Sequence, residues 1–220
     1  MSNELKRNLR YFTTNAFLVL IVIYPVMFSN SLFRISSGRV NGPGIFSTIL
    51  INLIIGAYVA NSISFLVWHT QTVPLIIGFS TTRKAIYKAM LIQKIWLSFV
   101  QAIVCAYSIY LLLKESDLQA SLNFSFPFYA LAIFATLFFL ASSGEFFGNI
   151  QHKYGKWGVL AWAVFTLLGV MPAVIFCAVN IGKPVSITSA VTILVAVFAT
   201  LSGVFSYGSY RMIQTCEAKG

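Results

Sequence analysis

Six apolar runs follow one another along this chain: Ala16–Phe33, Ile45–Trp68, Ile95–Leu113, Phe124–Ser143, Gly158–Val179 and Ile187–Tyr207. A helix rising 1.5 Å per residue needs roughly 18 to 25 such residues to cross the hydrocarbon layer of a bilayer. No water in that layer satisfies backbone N–H and C=O groups, so a spanning segment must bond internally, as a helix or in a closed barrel. The alternating polar pattern of a membrane barrel is absent. The expected fold is an all-α integral membrane protein of six transmembrane helices, one transmembrane domain across residues 1–220. Composition agrees, since 58% of the residues are hydrophobic and 9% charged, with a mean hydropathy of +0.84. An ordinary soluble domain carries about 25% charged residues to face water. The first run follows "KRNLR" (Lys6–Arg10), but its apolar core is long for a signal peptide and no small-residue cleavage site follows, so it is expected to be retained.

The basic residues orient the six spans. With both termini inside, the inner segments hold Lys6, Arg7, Arg10, Arg83, Lys84, Lys88, Lys94, Lys153, Lys156, Arg211 and Lys219. The outer loops then hold Arg34, Arg39, Lys114 and Lys183. Eleven against four is a positive-inside bias, which places the protein in the cell membrane as a multi-pass chain with cytoplasmic termini. The net charge of +10 therefore reads as topology and contact with the lipid bilayer, and no nucleic-acid partner is expected.

Four of those cations crowd into "GFSTTRKAIYKAMLIQK" (Gly78–Lys94), between the second and third spans. Pro74 and Gly78 punctuate the segment, and Ser80, Thr81 or Thr82 can cap a new helix. At 100° per residue, Arg83, Lys94, Tyr87, Lys84 and Lys88 fall within about 140° of arc, with Ala85, Ile86, Ala89 and Met90 filling the remainder. The pattern predicts a short amphipathic helix lying across the inner surface, its basic side toward cytoplasm, headgroups or a partner. Such a helix either anchors topology on lipid phosphates or docks into a groove of a cytoplasmic protein.

The run "PLIIGFSTTRKAIYKAMLIQK" resembles the first cytoplasmic loop of small bacterial ABC-transporter permeases of the type-2 exporter class, where a Gly–x–Ser/Thr–x–Thr–Arg–Lys/Arg turn precedes the helix that couples to the ATPase. "GEFFGNIQHKYGKWGVLAW" (Gly144–Trp162) is similar to that family's basic, glycine-containing loop between spans four and five. The resemblance implies a permease that pairs with a second permease chain, as a homo- or heterodimer. Two copies of a separate ABC ATPase subunit would dock beneath it. It carries an ATPase-coupling role to Gly78, Ser80, Thr81, Thr82, Arg83, Lys84 and Tyr87. The short outer loop "NIGKPVSI" (Asn180–Ile187) departs from larger relatives, which place a folded extracellular element there.

No Gly-x-x-x-x-Gly-Lys-Ser/Thr loop occurs, so ATP is expected on a partner chain and this chain is expected to hold no cofactor. Two histidines and five scattered acids offer no catalytic constellation, so the chain is not expected to be an enzyme. Cys105, Cys177 and Cys216 lack metal-ligand spacing and read as small packing residues. Glu145 stands apart because it follows an apolar run. It is either a helix-end carboxylate paired with Lys153 or Lys156, or a salt bridge within the permease or at the ATPase contact. Asn52, Asn61, Ser62, Ser64, Ser98 and Gln101 read as helix–helix hydrogen-bonding groups, with some able to line a pathway. Pro25 and Pro172 mark kink positions, and the phenylalanines serve packing, lipid contact or an aromatic route. The leading expectation is a permease exporting an amphipathic peptide or hydrophobic compound. The alternative, a substrate-binding membrane component of a vitamin-uptake transporter, requires polar groups near the outer loops, which are plain here.

Overall fold

The computed structural model describes residues 3–36, 44–67, 73, 82–115, 126–165 and 184–215. Among these residues every regular element is a helix: α1 (Asn3–Ser36), α2 (Gly44–Val67), α3 (Arg83–Glu115), α4 (Phe126–Tyr154), α5 (Trp157–Phe165) and α6 (Pro184–Thr215). Five of them, all but α5, are long and apolar enough to cross a membrane. The remainder of the fifth expected span, beyond Phe165, lies outside the described residues, as do Pro172, Cys177 and Cys216.

Most helices overrun the apolar runs that announced them. The 33 residues of α3 span about 50 Å, well beyond the ~30 Å hydrocarbon layer. Its first turns were expected as a separate helix lying across the surface, but the structure places Arg83–Lys94 in line with the span as one rod. The reason is local: Pro74 and Gly78 both precede the helix start, and from Arg83 to Ile95 no glycine or proline interrupts a run of good helix formers. Likewise Gly144–Tyr154, expected within a loop, continues α4. Gly155, at φ +68°, ends it by accepting the left-handed conformation that a side chain disfavours, and its N–H donates to the Gln151 carbonyl at 2.7 Å. In α1 the helix runs through Pro25, at the loss of one backbone hydrogen bond.

Contacts define the topology. Asn52 Nδ2 donates to Ser31 Oγ at 2.6 Å, so α2 returns along α1. Thr13 lies 3.1 Å from Gln93 and Thr82 bonds Glu4, so α3 runs parallel to α1. Asn61 Nδ2 donates to the Leu137 carbonyl at 2.5 Å, and Gly144 backs onto Ser62 and Leu66, so α4 parallels α2. Phe139 stacks on Phe198 at 4.5 Å while Phe146 meets Gly208, so α6 parallels α4.

The hub is α4, which packs on α2, α3, α5 and α6. A Cβ added at Gly144 would sit 2.8 Å from the Ser62 carbonyl oxygen, so only glycine permits that backbone approach. Phe139, Phe146, Phe147, Phe165, Phe198 and Phe205 interlock between α4, α5 and α6. These rings are packing residues. Cys105 is likewise buried, among Ala57, Ala102, Ala106, Ile133 and Leu137.

Candidate functional site: a buried ion pair at the cationic end

One end of the bundle collects the start of α1, the start of α3 and the ends of α4 and α6. Thr82 stands at the N-cap of α3, where its carbonyl accepts from Ala85 and Ile86 N–H at 2.9 and 3.1 Å. Its hydroxyl donates to Glu4 Oε2 at 2.9 Å, tying α3 to α1. One residue on, Arg83 Nη1 donates to the Gln214 carbonyl, an orphan acceptor in the last turn of α6. Tyr87 donates its hydroxyl to the Ser206 carbonyl at 3.1 Å and packs its ring on Tyr210 at 4.9 Å.

Eleven residues into α3, about 16 Å from its start, Lys94 is 0% exposed. Its ammonium donates to Glu145 Oε2 of α4 at 2.6 Å and to Ser206 Oγ of α6 at 2.8 Å. The Phe138 ring centroid lies 4.9 Å away, so the cation also faces an electron-rich ring. Ser206 Oγ in turn donates to Ser142 Oγ at 3.3 Å. Glu145 itself is 1% exposed. Taking two charges out of water costs several kcal/mol apiece, which close geometry and added hydrogen bonds offset. Here the ammonium has three partners on two further helices, so the charge is held where it stands.

The inward turn of Lys94 corrects its expected place on an outward basic face. Arg83, Tyr87 and Lys94 occupy one edge of the 140° arc, within about 40° of each other, and that edge packs against α6 and α4. Lys84 and Lys88, on the opposite edge, remain exposed. The proposed pairing of Glu145 with Lys153 or Lys156 is also replaced. Lys153 lies two turns further along α4 with its ammonium 5.4 Å from the Tyr154 ring, and Lys156 is exposed in the turn before α5. Gly78, Ser80 and Thr81 lie outside the described residues.

Sequence reasoning missed Ser206, Ser142, Tyr210 and Gln214. For Lys94 a signal existed: at 100° per residue it lies within about 60° of Met90 and Leu97, both buried. Of the polar groups named within the spans, Asn52 and Asn61 do bridge helices, the latter also reaching Ser98 Oγ at 3.2 Å. Ser62 and Ser64 instead donate to carbonyls of their own helix. Among the described residues no three His, Cys, Asp or Glu side chains converge as metal ligands. Compared with known proteins, the chain matches no family model, no curated protein and no solved structure.

Proposed function

We propose that this chain is the membrane permease subunit of an ATP-driven exporter, working with a second permease chain and two copies of a separate ABC ATPase. The exported cargo is an amphipathic peptide or hydrophobic compound. The observation that carries the reading is the rigid connection from an exposed cationic helix start to the bundle interior. Lys84 and Lys88 stand exposed on the first turns of α3, and the same rod is pinned at Arg83, Tyr87 and Lys94 to α4 and α6. A partner that grips the lysines would move α3 and, through the Lys94–Glu145–Ser206 knot, the two helices beside it.

Six crossings and two cytoplasmic termini belong to the same reading. The parallel course of α4 and α6 supports a return crossing between them, as does α5, which starts back along α4 with Phe165 against Phe139 at 6.0 Å. Glu4 near the start and Gln214 near the end both bond the first turn of α3 or its cap, which favours an even number of crossings. The cationic character of this end supports a cytoplasmic position for it by the positive-inside rule.

The test reverses the exposed lysines and spares the pinned residues. Lys84→Glu with Lys88→Glu should lower ATPase co-purification and permease-stimulated ATP hydrolysis roughly tenfold or more, while the purified permease melts as the parent does. Normal co-purification and turnover would remove the coupling role.

A further inference from the structure

On three helices, the exposed face at the cationic end changes character at a similar level. On α3, exposed Lys84 and Lys88 give way to Ile92, Ile95 and Trp96; on α6, Arg211 gives way to Tyr207 and Val204. On α1, Lys6 and Arg10 give way to Phe17, 62% exposed, and then to Leu18, Ile21 and Val22. An exposed surface that is cationic on one side of such a line and apolar on the other fits the headgroup boundary of a membrane leaflet.

At that boundary α1 also lines a concavity. Lys6, Leu9, Arg10, Thr13, Thr14 and Phe17 line a groove of about 540 Å³, within the range of small-ligand sites. Lys6 and Arg10 are one turn apart, so their charged ends can converge on one anion. Among the described residues neither forms a salt bridge. The two threonine hydroxyls already sit against acceptors, the Leu9 and Arg10 carbonyls at 2.8 and 3.0 Å, and Thr13 also lies 3.1 Å from Gln93 Oε1. They therefore line the groove without offering the anion a donor, which leaves the two cations to hold it. Below them Phe17 opens the apolar face along which a hydrocarbon chain can lie.

We infer that this groove binds one anionic phospholipid of the adjoining leaflet, its phosphate between Lys6 and Arg10 and its acyl chain descending past Phe17. The guanidinium fork suits a phosphate, and the order cation, threonine, phenylalanine along the helix follows the order headgroup, glycerol, tail. The site does not depend on the exporter reading, since it needs only a bilayer.

Native mass spectrometry of the intact protein, titrated with phosphatidylglycerol or phosphatidylcholine in detergent, tests it. One phosphatidylglycerol should be retained in preference to phosphatidylcholine. Lys6→Gln with Arg10→Gln should weaken that retention roughly thirtyfold. Lys84→Gln with Lys88→Gln should leave it within about twofold, and the charge-keeping exchange Lys6→Arg with Arg10→Lys should preserve binding. Equal loss in both glutamine pairs would mean a diffuse basic belt and overturn the site. Equal retention of the neutral lipid by the parent protein would overturn it as well.

Discussion

Helices α1 and α4 are similarly long and apolar, yet the bundle uses them in opposite ways. The most apolar window of α4 is 44% buried and that of α1 only 12%. Along α4 the buried run Leu140–Glu145 carries small residues, a carboxylate and a glycine where two backbones meet. Along α1, Phe17, Leu18, Ile21, Val22, Val26 and Phe28 face outward. Hydrophobicity selects which segments enter the membrane but cannot rank them once there, because lipid tails are as apolar as leucine. What draws α4 to the centre is close backbone approach and polar groups that need partners.

The comparison is broken most severely by removing one member of the buried pair. Glu145→Ala leaves the Lys94 ammonium buried without its carboxylate and should cost about 3–5 kcal/mol of stability. Equilibrium unfolding of the detergent-solubilised protein measures this, and the paired exchange Lys94→Met with Glu145→Leu should recover most of the loss. Parent-like unfolding of Glu145→Ala would show that α4 is not held by its charge.

Next in size is Gly144→Val, which forces a side chain onto the Ser62 carbonyl and should cost about 1–3 kcal/mol in the same unfolding measurement. Gly208→Ala serves as its control: there the added Cβ meets a side chain, the Phe146 ring, rather than backbone, and a smaller effect is expected. The smallest effect belongs to α1. Asn52→Leu removes its hydrogen bond to Ser31 and should cost only about 0.6 kcal/mol, up to roughly 1.7. A loss as large as that from Glu145→Ala would mean that α1 is as deeply committed to the bundle as α4.

Residue order alone determined that the chain is helical, where its apolar segments lie, and that cations gather at corresponding ends of several of them. These are properties of single segments, set by backbone hydrogen bonding in an apolar solvent and by charge at its boundary. It also marked Thr82 among the possible helix starts and Glu145 as a carboxylate out of place. Tertiary structure decided the rest. Which edge of the continuous Arg83–Lys94 helix packs inward was decided by its neighbours, because its residues suit a surface helix equally well. That Lys94 turns inward while Lys84 and Lys88 do not depends on Glu145 and Ser206, which lie 51 and 112 residues away. The angular pattern of one helix defines faces, but only its neighbours determine which face is inside.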